Sequence, residues 1–204
     1  AAPAEAPLLL PPELRLSPEQ FALVCQANPN AVLELSASGQ LISMTPTGGD
    51  TGSRNAILLF ALQSYARQTN AWKAFDSSTG FRLPDGSVLS PDASLVRLER
   101  WQALNPEQRR SFPPLCPDLV VELASPSDEG PRGISALRQK MSDYIRNGAQ
   151  LGWLLLPSQQ AVEIWRSGSP APEPEPERRA PASQLAGEPL LPGFCFDLGE
   201  IWEA

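Results

Sequence analysis

Apolar residues recur along this chain at helical spacing in some stretches and at strand spacing in others. Between residues 51 and 68, Ile57, Leu58, Phe60, Ala61, Leu62 and Tyr65 fall at a period near 3.6, which predicts an amphipathic helix. Ile134, Leu137, Met141, Tyr144 and Ile145 share one face of a second helix over 134–147, and Gly148 stops it. Two shorter helices announce themselves by their starts. Ser17-Pro18-Glu19-Gln20 is a capping box with proline at the first helical position, opening a helix to about Ala27. Asn105-Pro106-Glu107-Gln108 repeats the signal.

Strands read from shorter apolar runs. Residues 31–35 and 40–44 flank Ser38-Gly39 as a hairpin. Residues 72–75, 80–83 and 93–98 are further strands, with Pro84-Asp85-Gly86 as a turn. Residues 118–123 (DLVVEL) form a short, nearly continuous apolar run, suited to a central strand buried on both faces. Strands over 151–156 and 162–165 follow the long helix. Hairpins followed by strand–helix–strand predict an α/β domain with a mixed sheet.

Proline punctuates this picture. Residues 169–181 (SPAPEPEPERRAP) are acidic and proline-rich, and are expected to form a flexible, solvated loop without core. The apolar stretch LLPGFCFDLGEIW then returns to dock, so 1–204 reads as a single domain interrupted by an excursion. Residues 1–12 lack the basic and long apolar regions of a secretory signal and are expected to be a disordered arm. No apolar run approaches the roughly 20 residues that span a bilayer. No repeat is visible.

Composition narrows the chemistry. Histidine is absent, which excludes Ser-His-Asp triads, Cys-His pairs and His-ligated zinc within this chain. Cys25, Cys116 and Cys195 are far apart, and read as reduced thiols of a cytoplasmic protein. The formal net charge of −7 argues against a nucleic-acid partner until its distribution is read. Residues 54–146 hold 12 basic against 10 acidic residues, and the remainder holds 4 against 13. The middle can carry a local basic surface, although no Lys/Arg cluster marks one. The five tryptophans are scattered and suggest core packing before base stacking.

Carboxylates and hydroxyls remain, with lysine and any metal they hold. Glu122 sits inside the most apolar strand, where a lone carboxylate must be paired, protonated or bound to metal. Asp92 follows Ser90-Pro91 at a strand start, and Glu34 is a third acid in an apolar strand. Two strands can hold one carboxylate each at close range, where like charges raise a pKa or call for a cation. Hard oxygen ligands without histidine select Mg²⁺ or Mn²⁺. Lys140 is one of only two lysines and lies on the helix after the Glu122 strand, able to lower an ammonium into a site at the strand ends. Each residue also has a plain reading. Glu122 could pair with Arg97 or Arg138, Asp92 could cap a turn, and Lys140 could snorkel. The four together favour a site. Thr47-Gly48-Gly49-Asp50-Thr51-Gly52 lacks P-loop spacing and reads as a connector before its helix.

At these residues the sequence resembles the Uma2-like (DUF820) family, abundant in cyanobacteria and assigned as endonucleases of the PD-(D/E)XK, restriction-endonuclease-like fold. The resemblance runs from about Leu16 to Trp202, through LSPEQF (16–21), MTPTGGDTGSRN (44–55), FDSSTGFRLPDGS (75–87), SPDASLV (90–96), CPDLVVELASPSD (116–128), KMSDYIRNGAQLGWLL (140–155) and LPGFCFDL (191–198). It implies a restriction-endonuclease-like α/β fold: a mixed central β-sheet flanked by helices, with an N-terminal helix and β-hairpin. The motif aspartate falls on Asp92 and the motif acid on Glu122. The motif lysine position holds Ala124, and the family's lysine on the next helix matches Lys140. Glu34 matches the early glutamate of the first hairpin. Where many members have histidine in the following helix, this chain has Asn55.

The resemblance implies a Mg²⁺- or Mn²⁺-dependent phosphodiesterase with catalytic residues Glu34, Asp92, Glu122 and Lys140. Asp92 and Glu122 would be the metal ligands, with the Leu123 carbonyl beside them. The expected partner is nucleic acid, DNA first, with no membrane; a homodimer stays open. The rival readings are a weakly active or inactive binding module on a nuclease fold, and a small-molecule phosphoesterase.

Overall fold

The computed structural model describes residues 11, 13–44, 46–128, 130–168 and 174–204. In chain order the elements are α1 (Pro18–Ala27), β1 (Val32–Leu35), β2 (Leu41–Met44), α2 (Gly49–Thr69), β3 (Trp72–Asp76), β4 (Phe81–Arg82), β5 (Val88–Leu89) and β6 (Ala93–Arg97). They continue as α3 (Leu98–Ala103), α4 (Pro106–Arg110), β7 (Leu119–Leu123), α5 (Pro131–Arg146), β8 (Leu151–Leu156) and β9 (Ala161–Arg166). The chain closes with β10 (Glu177–Arg179), β11 (Gln184–Ala186), β12 (Cys195–Asp197) and α6 (Gly199–Trp202).

Both capping boxes form. Gln20 N–H donates to Ser17 Oγ at 3.2 Å, and Ser17 N–H donates to Gln20 Oε1 at 2.8 Å. Asn105 and Gln108 make the same reciprocal pair at the start of α4. The glycine-rich stretch expected as a connector is helical from Gly49, so α2 starts two residues early and Thr51 is buried in its first turn.

The main sheet runs β10-β9-β8-β7-β6-β3. The β7–β8 pair is parallel and spanned by α5; the other pairs are antiparallel. A smaller sheet, β2-β1-β5-β4, packs on α1 around Phe21, Leu35 and Val88. One face of the main sheet, including Leu119, Val121 and Leu123, packs on Leu58, Leu62 and Tyr65 of α2 and on the C-terminal segment around Leu191 and Phe196. The other face, including Val120 and Ala124, packs on Met141, Tyr144 and Ile145 of α5. The mixed sheet flanked by helices, with an N-terminal helix and hairpin, is the architecture expected from the sequence.

The α5 face is held close. A Cβ on Gly152 of β8 would lie 2.5 Å from Met141 Cε, so the bare glycine is what lets the helix settle on the sheet. A Cβ on Gly133 would lie 2.6 Å from the Asp128 backbone, so the first turn of α5 folds against the turn that follows β7.

The expected loop over 169–181 is corrected in its second half. Glu177–Arg179 pair antiparallel with β9, Glu177 opposite Ile164 and Arg179 opposite Val162. All three residues are exposed, so the strand adds backbone pairing and no core. Residues 169–173 lie outside the described residues, as does most of the expected arm over 1–12. No helix among the described residues is long and apolar enough to cross a membrane.

Candidate active site

Alternation along β7 decides where Glu122 goes. Leu119, Val121 and Leu123 face α2, so Val120, Glu122 and Ala124 face α5. Glu122 is buried, at 3% exposure. Asp92 immediately precedes β6, and the Ala93–Val121 pairing carries it opposite Glu122. Its Oδ2 accepts the Leu123 N–H at 2.7 Å, which fixes the carboxylate at the strand end. Ser90-Pro91-Asp92 links β5 of the small sheet to β6 of the main sheet. That link brings in Glu34 of β1, whose Oε1 accepts the Ser90 N–H at 2.7 Å.

Lys140 closes the cluster from α5. Its Nζ lies 2.9 Å from Glu34 Oε1 and 2.9 Å from Glu122 Oε1, and donates to the Ser90 carbonyl at 3.1 Å. Tyr144, one helical turn on, donates its hydroxyl to Glu122 Oε1 at 3.2 Å. From the opposite face Asn55 of α2 reaches Asp92, Nδ2 to Oδ1, at 3.4 Å. The four residues expected from the sequence, Glu34, Asp92, Glu122 and Lys140, therefore converge.

Burial dominates the electrostatics. It pushes the Glu122 carboxyl up to about 8, assisted by the charges of Asp92 and Glu34 and opposed by Lys140. Asp92 is also raised, again first by burial, with the Leu123 N–H and Lys140 pulling the other way. Burial works against the Lys140 ammonium, but Glu122 and Glu34 outweigh it and hold it above the ordinary lysine range. The Tyr144 hydroxyl is raised well above its usual value by burial and the neighbouring carboxylates, so it stays a donor.

The other buried acids show what a structural carboxylate looks like here. Asp118 accepts from the Arg97 N–H and Gln150 Nε2 and pairs with Arg100 at 2.9 Å. Glu163 takes a forked contact from Arg138. Arg138 is thus committed elsewhere, and the Arg97 guanidinium lies over the Trp72 ring at 4.7 Å. Neither arginine serves Glu122, and Lys140, 12% exposed, does not snorkel.

Two residues of the cluster carry little signal in sequence. Tyr144 sits in phase with the apolar face of α5, and its hydroxyl partner cannot be read from spacing. Asn55 is a polar residue on a helix, identified only by its place in the motif. No group of three or more Cys, Asp or Glu side chains able to hold an ion forms among the described residues. Lys140 lies between Glu34 and Glu122, which leaves Asp92 and Glu122 as the acids for a shared cation. Among the described residues Asp92 Oδ1 has only the long contact to Asn55, and these hard oxygen donors fit Mg²⁺ or Mn²⁺.

A protein-family model, Uma2, described as "Putative restriction endonuclease", matches residues 18–199. A crystal structure described as "a putative nuclease belonging to DUF820", from Anabaena variabilis ATCC 29413, superposes with a TM-score of 0.70 at 16% identity. The match covers 92% of this chain and 98% of that one, and at this identity it establishes a shared fold. No curated protein sequence matches.

Proposed function

Because the chain belongs to the Uma2 family, we propose that it is a metal-dependent endonuclease hydrolysing phosphodiester bonds of nucleic acid, DNA first. The observation that carries the reading is the place of Asp92, just before β6 and bonded to the Leu123 N–H of β7, beside Glu122, with Lys140 against Glu122. Asp92 and Glu122 would hold Mg²⁺ or Mn²⁺. Such an ion, when bound, polarises a phosphoryl oxygen and lowers the pKa of water. Lys140 places a fixed positive charge beside the acids, where negative charge develops on phosphate in the transition state. Glu34 and the Ser90 carbonyl aim that ammonium, and Tyr144 fixes the Glu122 carboxylate. The near-neutral middle of the sequence is compatible with a polyanionic partner despite the acidic ends.

One observation favours a second reading. All three Lys140 protons have acceptors, in Glu34, Glu122 and the Ser90 carbonyl, as in a structural ion network. On that reading the chain is a binding module on a nuclease fold. The test incubates purified protein with single- and double-stranded DNA and RNA, with and without Mg²⁺ or Mn²⁺. A nuclease cleaves at least one substrate only with the metal, and Asp92→Asn and Glu122→Gln each abolish cleavage while remaining folded. Metal-loaded wild type that is inert on all substrates refutes the nuclease reading and leaves the binding module.

A further inference from the structure

Asn55 presents a buried oxygen with no partner beside the site. Its Oδ1 accepts no hydrogen bond among the described residues and is shielded from solvent. Its Nδ2 reaches Asp92 Oδ1 at 3.4 Å, longer than the usual 2.7–3.2 Å range for N–H···O. Among the described residues three other buried side-chain atoms lack partners: Ser94 Oγ, Trp153 Nε1 and Trp165 Nε1. The two indole nitrogens only donate and the hydroxyl can turn, whereas a carboxamide oxygen only accepts.

We propose that Asn55 is a third ligand side chain of the cation site, its carboxamide oxygen joining Asp92 and Glu122 in a hard oxygen set for Mg²⁺ or Mn²⁺. The proposal rests on the metal-dependent reading above and adds to it a residue from a different element and the opposite face of the sheet. An amide oxygen is an accepted ligand of hard cations, neutral but strongly dipolar. The amide torsion is broad and roughly two-fold, so nitrogen and oxygen exchange places at small cost. Without a cation the N–H end turns to Asp92, since the oxygen would be repelled. With a cation beside Asp92 that preference reverses, and the oxygen gains the partner it lacks. Two carboxylates alone leave most of an ion's six ligand positions to water. Asn55 reduces that number, and being uncharged it adds no repulsion to the three acids already present.

The test is Mn²⁺ binding followed by calorimetry, with apo melting temperature measured in parallel, so no activity is needed. Wild type should bind Mn²⁺. Asn55→Leu keeps the side-chain shape without the oxygen, and should weaken binding tenfold or more while the apo melting temperature holds. Asn55→Asp keeps a ligand oxygen and loses the N–H. It should bind Mn²⁺ at least as tightly as wild type, with a lower apo melting temperature. If Asn55 only steadies Asp92 through its N–H, Asn55→Asp binds more weakly, and the ligand role is overturned. Equal affinity of wild type and Asn55→Leu overturns it too, while leaving the metal-dependent reading standing. Wild type that binds no Mn²⁺ overturns both. Should Asn55→Leu fail to fold, the comparison of wild type with Asn55→Asp decides alone.

Discussion

Replacing Lys140 by methionine keeps the stem and removes the one cation that Glu34 and Glu122 share. Both acids are 3% exposed, so water does not reach in to replace it. Glu34 retains the Ser90 N–H and Glu122 retains the Tyr144 hydroxyl, neither of which carries charge. Orphaning one member of a buried ion pair costs about 3–5 kcal/mol. A second route gives the same size. Burial already holds Glu122 at about 8 in the wild type, so without the ammonium the second stranded carboxyl must bind a proton as well to remain buried. That costs about 1.4 kcal/mol per pH unit above an unfolded value near 4.3, or about 3–4 kcal/mol at pH 7.

The second route also fixes the pH dependence. Losing Lys140 thus adds to Glu122 a second buried carboxyl whose pKa in the folded variant lies above its unfolded value. The variant's stability is then retained below about pH 4.3 and lost as pH rises toward the folded pKa. Urea unfolding from pH 5 to 8, followed by tryptophan fluorescence without divalent ions, reads this directly. Lys140→Met should fall furthest below wild type at pH 8 and approach it at pH 5, with an unchanged urea slope. A deficit independent of pH would show that packing of the stem, not charge, is what Lys140 supplies. A deficit below about 0.5 kcal/mol throughout, the size of a surface substitution, would show that the ion contacts do not form.

Two further outcomes follow from the same network. Glu122 is raised to about 8 by burial, so wild-type apo stability should decline between roughly pH 4.3 and 8, and Glu122→Gln should flatten that decline in the same urea series. Arg138→Met strands the buried Glu163 and should cost about 3–5 kcal/mol. Because Glu163 is not part of the candidate site, this variant should match wild type in the Mn²⁺ calorimetry proposed above, and weaker binding than wild type would tie Glu163 to the cation.

The elements legible in the sequence are those whose signal is local. Ser17 and Gln20 specify a helix start by themselves, and the run from Leu119 to Leu123 specifies a buried strand by composition. β10 was hidden because pairing with β9 needs only backbone groups, and Glu177, Arg178 and Arg179 bury nothing that would leave an alternating pattern. The acids Glu122 and Glu34 stood out as charge in apolar strands, and Asp92 by its place after Ser90-Pro91 at a strand start. Lys140 was legible as the ammonium of the site, whereas the acid that Arg138 meets was not. Arg138 and Lys140 are two residues apart on α5 and so project in different directions, one to Glu163 on β9 and the other to Glu122 on β7. Which acid each meets depends on the rotation and height of the helix on the sheet, set by contacts such as Met141 on Gly152. Asn55 had no distinguishing pattern because its meaning comes from Asp92, 37 residues away.

The position of the lysine has a mechanical consequence. In the motif the chain resembles, the lysine lies two residues beyond the acid on the same strand, so strand geometry alone fixes their relation. Here that position is Ala124, buried on the α5 side with its N–H bonded to the Leu155 carbonyl. The ammonium comes instead from α5, and its distance to Glu122 is only as fixed as the seating of that helix. Two contacts hold the seat near the site: Met141 over Gly152, and the Tyr144 hydroxyl on Glu122. The same ammonium contacts Glu34 of the small sheet and Glu122 of the main sheet, so it also bolts the two sheets together. Bringing these side chains together thereby depends on three dockings: α5 on the main sheet, the small sheet against the main sheet through Ser90-Pro91-Asp92, and α2 against the other face, from which Asn55 reaches Asp92. A motif lysine at residue 124 would have needed none of them to stand beside its acid.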